Sequence, residues 1–105
     1  MHVITRKRIL AFGRAYPDAV TPLDVWYRLM RKARFANSAE LKATFGSADP
    51  LGQGLVVFNI GGNKYRLIAY VRYATRANMG RVWVRHVLTH AEYNAWSDEH
   101  RKHRT

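Results

Sequence analysis

Between Asp49 and Glu92 the chain has no acidic residue, yet that interval carries Lys64, Arg66, Arg72, Arg76, Arg81 and Arg85. Such a stretch suits chemistry on a polyanion, because guanidinium forks match phosphate oxygens and lysine adds a compact point charge. Strand alternation gives these residues faces. If 64–73 is extended, Lys64, Arg66, Ile68, Tyr70 and Arg72 share one face, and Tyr65, Leu67, Ala69, Val71 and Tyr73 take the other, apolar one. In the next run Arg81, Trp83, Arg85 and Val87 oppose Val82, Val84, His86 and Leu88. With the valines inward, Lys64, Arg66 and Arg85 gather on one open sheet face and His86 joins the core. Clustered cations repel each other unless an anion sits among them. A phosphate site is one reading; an ordinary wet sheet face with scattered charges is the other. Groups that can move a proton nearby are few: His86, His90, Tyr93 and Lys64 itself. Carboxylates are too sparse in this half for a paired Asp/Glu mechanism.

The elements that must position these side chains are legible in outline. His2–Ile4 reads as a short strand. Thr5 caps a helix running to about Tyr16, with Ile9, Phe12 and Tyr16 on one side. Pro17-Asp18 breaks it, and Thr21-Pro22-Leu23-Asp24 starts a second helix with Thr21 as cap. Leu23, Trp26, Tyr27 and Met30 form its apolar face; Arg28, Arg31 and Lys32 form the other. Ser38 caps a third, short helix bearing Leu41 and Phe45. Asp49–Gly54 reads as a loop. From Leu55 the period changes: a strand to Ile60, a hairpin at Gly61-Gly62-Asn63, a strand over 64–73 and another from Gly80 to Leu88. Thr89-His90-Ala91-Glu92 is a capping box opening a last helix. The expectation is a single α+β domain over 1–105: strand 1–4, helices 5–45, an antiparallel meander 55–88, a short helix 89–97 and a polar tail 98–105.

Composition excludes several classes. Lys and Arg number 18 against 7 Asp and Glu, a net charge of +11, which points to a polyanionic partner. The apolar runs are too short to span a membrane, and no apolar signal core follows the basic start. With no cysteine there is no disulfide, thiolate zinc site or thiol nucleophile, which suits a cytoplasmic location. His100 and His103 have ligand-like spacing but no third partner, so no metal and no cofactor is expected.

One stretch is more specific than these patterns. Val57-Phe58-Asn59-Ile60-Gly61-Gly62-Asn63-Lys64-Tyr65-Arg66-Leu67 resembles the signature of HigB-type toxins in the RelE-like superfamily. Val84-Arg85-His86-Val87-Leu88-Thr89-His90-Ala91-Glu92-Tyr93 is similar to their second signature, an arginine strand running into Thr-His-x-Glu-Tyr. The opening His2-Val3-Ile4-Thr5, and Leu41–Phe45 followed by Ser47-Ala48-Asp49, are similar too. The resemblance spans roughly Met1 to Trp96. It implies a small microbial-RNase-like toxin that enters the ribosomal A site and cuts messenger RNA there. It also implies a cognate helix-turn-helix antitoxin that neutralises the toxin, with operator DNA met only indirectly through that antitoxin.

Metal-independent RNA cleavage needs a base for the 2′-hydroxyl, cations for the phosphorane charge and an acid for the leaving oxygen. On this reading Lys64, Arg66 and Arg85 hold the phosphate. His90 and Tyr93 serve as acid–base or base-stacking groups. Structural roles stand beside these: Tyr93 as half of a hydrophobic staple with Leu88, and His90 as a solvated first-turn residue. Arg28, Arg31, Lys32, Arg34, Lys42 and Arg72 are expected to grip ribosomal RNA, although the helix cations equally suit an antitoxin. The alternative function is a non-catalytic basic module that binds RNA or the ribosome.

Overall fold

The computed structural model describes the backbone of residues 1–104 and the side chains of residues 1–102. In chain order it comprises β1 (His2–Ile4), α1 (Lys7–Ala15), a 3-10 turn (Pro17–Ala19), α2 (Val20–Lys32) and α3 (Ser38–Thr44). Then come β2 (Asp49–Gly52), β3 (Leu55–Ile60), β4 (Tyr65–Arg72), β5 (Arg81–Thr89) and α4 (His90–Arg104). The strands form one five-stranded sheet in the order β1-β5-β4-β3-β2. This is an α+β fold with the expected antiparallel meander, β3-β4-β5, at its centre. β1 adds a parallel strand beside β5, so the sheet is mixed.

Glycine makes the central hairpin possible. Gly61 and Gly62 have φ of +64° and +69°, the left-handed region that costs other residues strain, and Ile60 then pairs with Tyr65 across the turn. The hairpin sets the register that puts Val56, Phe58, Ile60, Tyr65, Leu67, Ala69 and Val71 into the core. The helical layer covers this face. Leu23, Trp26 and Met30 of α2 are buried against it, as the helical spacing predicts. Phe58 sits at the meeting point, edge-on to Trp26 at 5.4 Å and to Phe45 at 5.2 Å. Met1 is fully buried, and its α-amino group donates to the carbonyls of Met30 (3.1 Å), Arg31 (3.2 Å) and Ala33. These bonds use carbonyls at the C-terminal end of α2 and tie β1 to it.

Local chemistry moves several boundaries. Asp49–Gly52 is an edge strand rather than a loop: it pairs with β3 despite Pro50, a residue sheets tolerate at edges. Thr21 does not cap α2, because the turn at Pro17–Ala19 runs straight into a helix that starts at Val20. α3 is capped by Asn37, whose Oδ1 accepts from the Glu40 amide at 2.9 Å, and not by Ser38. The Thr89–Glu92 capping box is formed as expected, with each side chain accepting from the other's amide at 3.2 and 2.9 Å. α4 does not stop near 97 but continues to Arg104, through most of the segment expected to be a tail; Thr105 lies outside the described residues. It rests on the side of the sheet away from the other helices, against β4 and β5.

Truncating Phe58 to Ala should cost about 3–5 kcal/mol of stability, read from the midpoint shift in urea unfolding. A loss of less than about 1 kcal/mol would mean that the core is not centred there.

Candidate active site

The positions of the site residues follow from one irregularity between β4 and β5. Ile68 pairs with His86, but the next residue, Ala69, pairs with Val84, so Arg85 is an extra residue on β5. This is a β-bulge, which bends a strand and re-aims its side chains. Before the bulge Val82 and Val84 face the core. After it the alternation inverts. Val87, opposite Leu67, packs against the core, while His86 stands opposite Ile68 on the other face and is exposed. The expectation of a core His86 and an outward Val87 is therefore corrected, because unbroken alternation does not hold across an inserted residue.

Arg66 is the other fixed point. It is buried, at 9% exposure, on the face opposite the main core. One guanidinium nitrogen donates to the carbonyls of Asn63 (3.2 Å) and Tyr65 (3.1 Å), and another donates to Asn63 Oδ1 at 2.6 Å. The group lies 5.5 Å from the centre of the Tyr93 ring. Hydrogen bonds and an aromatic face orient the cation without neutralising it. Among the described residues no carboxylate pairs with Arg66, Arg72, Arg81 or Arg85.

Arg85 is exposed and lines a hollow of about 550 Å³ with Trp83 and with Lys7 and Arg8 of α1. Arg8 lies outside the strand alternation that groups the other cations. Its place arises because β1 ends at Ile4 and α1 begins beside the uncovered stretch of β5, a pairing that no local pattern encodes. Partial desolvation, and then the charges of Arg8 and Arg85, lower the pKa of His86. Its imidazole is therefore neutral at physiological pH and able to accept a proton.

Lys64 is placed differently. Its ammonium is 2.6 Å from Asp18 Oδ2, and the Tyr65 hydroxyl donates to Asp18 Oδ1 at 2.6 Å. Tyr65 packs with Phe12 and Tyr16, so this ion pair belongs to the helical side of the sheet, away from Arg66 and Arg85. Tyr93, half-buried, joins Arg66 and stacks on Trp96 at 6.0 Å. His90 is exposed on the first turn of α4, its Nδ1 3.4 Å from Asn94 Nδ2. The structure thus gathers Arg66, Arg85, His86 and Tyr93 on one side of the sheet. Among the described residues no group of three or more metal-ligating side chains occurs, and the His103 side chain lies outside them.

Comparison with known proteins places the chain in a family. Residues 19–96 match the HigB toxin family, described as the RelE-like toxic component of a toxin–antitoxin system. The chain is 33% identical over 103 residues to the mRNA interferase toxin HigB of Escherichia coli K12, covering 96% of this chain and 95% of that protein. This chain belongs to the HigB toxin family. The mRNA interferase HigB of E. coli O6:H1 (strain CFT073) is 27% identical over 106 residues, covering 99% of each chain. The family match takes in Arg66, Arg85, His86, His90 and Tyr93 but stops short of α1 and Arg8.

The remaining cations of this HigB-family chain lie elsewhere. Arg28, Arg31 and Lys32 line a hollow of about 430 Å³ beside α2, where Arg28 pairs with Asp24 at 2.9 Å. Arg34 donates to the Thr75 carbonyl, and Lys42 is exposed on α3. Arg72 stands directly opposite Arg81 at the far end of β4 and β5. An apolar hollow of about 380 Å³ between α1 and α2 is lined by Ile9, Leu10, Val20 and Tyr27 and holds none of the sheet-face groups.

The contact with Asp18 raises the Tyr65 phenol to about 12, while Lys64 and then Tyr65 lower the Asp18 carboxyl. Asp18→Asn should return the phenol towards about 10, seen in a tyrosinate absorbance titration. The signs for stability follow. Asp18 has its pKa depressed on folding, so its contribution is complete above the ordinary carboxylate pKa and is lost as pH falls through the lowered value. Tyr65 has its pKa raised, so its contribution is complete below about 10 and is lost as pH rises towards 12. An Asp18→Asn protein with an unchanged phenol titration would refute the contact.

Proposed function

We propose that this chain is the toxin of a toxin–antitoxin pair and cuts messenger RNA in the ribosomal A site. The observation that carries the proposal is the uncompensated cation pair on the sheet face: Arg66 oriented by Asn63 and Tyr93, and Arg85 at the bulge beside a neutral His86. The relatives' description as mRNA interferases gives the substrate class. In the reaction, the 2′-oxygen attacks the adjacent phosphorus and the bond to the 5′ oxygen breaks. The products are a 2′,3′-cyclic phosphate and a 5′-hydroxyl. His86 accepts the proton of the 2′-hydroxyl. Arg66 and Arg85 offset the charge that grows on the phosphorane. His90 or Tyr93 returns a proton to the leaving oxygen or holds an unstacked nucleotide. This chemistry needs no metal.

Lys64 reaches the phosphate only by leaving Asp18, so its contribution is smaller than that of Arg85. Ribosomes supply the positioning that a site with so few acid–base groups lacks. Arg28, Arg31, Lys32, Arg34 and Lys42 grip ribosomal RNA, with affinity falling steeply as salt rises. A cognate helix-turn-helix antitoxin neutralises the toxin and brings the complex to operator DNA.

The test maps cleavage of a defined messenger with and without translating ribosomes. Cuts within the A-site codon that require ribosomes, and that fall on the order of 10–1000-fold in Arg85→Ala, are expected. No cuts under either condition, with RNA binding intact, would leave a binding module in place of the nuclease. The pH profile gives a second check. With His86 as base, the acid limb of kcat/KM lies below the ordinary histidine range. Arg8→Ala removes a repelling charge, raises the His86 pKa and should move that limb to higher pH. A limb that stays in place would remove His86 from the base role.

A further inference from the structure

The sheet face carries a feature that phosphate chemistry does not use. Beyond the bulge, Tyr70 of β4 and Trp83 of β5 are cross-strand partners, with ring centres 5.6 Å apart and planes at 56°. Both rings face away from the main core. Trp83 is half-buried, and Tyr70 remains 38% exposed although large aromatic rings are generally drawn into cores. Gly54 holds the Tyr70 ring in place. Its φ is +86°, and a Cβ there would come within 2.8 Å of Tyr70 Cε2. Only glycine lets the ring approach this turn so closely, and the hydrogen bond from the Val71 amide to the Gly54 carbonyl (2.7 Å) fixes the turn in place. The result is a backed aromatic surface with one side of its ring pair open, forming a shallow hollow of about 370 Å³ with Arg85.

Its neighbours along the strands are cations. Arg85 and Arg66 stand on one side, and Arg72 faces Arg81 two residues beyond the rings on the other. Like charges directly opposite each other in a sheet destabilise it unless an anion lies between them. From Arg66 to Arg72 the strand rises about 20 Å, so the face offers phosphate contacts at two stations with aromatic rings between them. We propose that Tyr70 and Trp83 form a stacking platform for an unpaired nucleobase of single-stranded RNA, whose flanking phosphates rest on Arg85 and Arg66 at one end and on Arg72 and Arg81 at the other. The platform makes these two aromatics positioning residues that set where the strand lies relative to the scissile phosphate. Stacking accepts any base because every base has a π face, so the contact is tolerant of sequence.

The inference rests on RNA being the substrate, and its test is independent of cleavage. A short single-stranded oligonucleotide with 2′-O-methyl sugars, which cannot be cut by 2′-hydroxyl attack, is compared with an abasic oligonucleotide of the same length and charge. Fluorescence anisotropy at low salt gives the ratio of their affinities. For the wild type the base-bearing strand should bind about 5- to 150-fold more tightly. Trp83→Leu or Tyr70→Leu should bring that ratio towards one while the affinity for the abasic strand stays unchanged, and Trp83→Phe should restore most of it. A wild-type ratio near one, or no binding of either strand, would overturn the platform. So would a ratio unaffected by Trp83→Leu, including the case in which that variant instead weakens binding to the antitoxin and marks the face as a protein interface. Loss of messenger cleavage with the base-dependent ratio intact would count against the nuclease reading alone. Cleavage with a ratio of one would count against the platform alone.

Discussion

A β-strand alternates its faces at every residue, and β5 breaks that rule once, at Arg85. The two ends of the strand have incompatible demands. Val82 and Val84 must face the helical layer, and so must Val87, three residues after Val84. A regular strand cannot send both Val84 and Val87 inward. The inserted residue resolves the conflict: it leaves the valines in the core, turns His86 outward beside Ile68, and puts Arg85 between His86 and Trp83 on an irregular stretch of backbone. The same strand loses its β1 neighbour after Trp83, where the parallel pairing ends. Arg85 therefore stands on uncovered edge backbone, which is where α1 brings Arg8.

Charge placement complements this geometry. Acidic side chains pair with cations of the helical layer and its neighbours: Asp24 with Arg6 and Arg28, and Asp18 with Lys64. The sheet face has no such partners among the described residues. Holding Arg66 by carbonyls, an amide and a ring costs less electrostatic attraction for an incoming anion than a carboxylate partner would, because none of these groups carries a full negative charge. A neutral His86 belongs to the same pattern, since partial desolvation, and then the arginines that attract phosphate, disfavour a protonated imidazole.

Much of this was legible from residue types. The Gly61-Gly62 hairpin, the amphipathic α2, the capping box at Thr89 and the core face of β4 each rest on local periodicity or turn chemistry, which sequence displays directly. The features that escaped are non-local. β2 carries Pro50 and two nearby glycines and becomes a strand only because β3 offers an edge to pair with. The bulge is invisible in a run that reads as Val-Trp-Val-Arg-His-Val, since one register looks as plausible as its neighbour until Leu67 demands a partner. Arg66 and Arg85 were found from their charge and family motif, whereas Lys64 was grouped with them by alternation and is drawn away by Asp18, 46 residues earlier in the chain. Arg8 and the Tyr70–Trp83 pair depended on which elements meet.

The central claim is that the face of β4 and β5 that carries α4, and not the cationic surface of α2, receives RNA at the reacting phosphate. Chemical-shift mapping by NMR during titration with a cleavage-resistant oligoribonucleotide tests it most directly. The account predicts perturbations concentrated at Arg66, Arg85, His86 and Tyr93, reduced by Arg85→Ala. Perturbations confined to Arg28, Arg31 and Lys32, with the sheet-face signals unmoved, would contradict it.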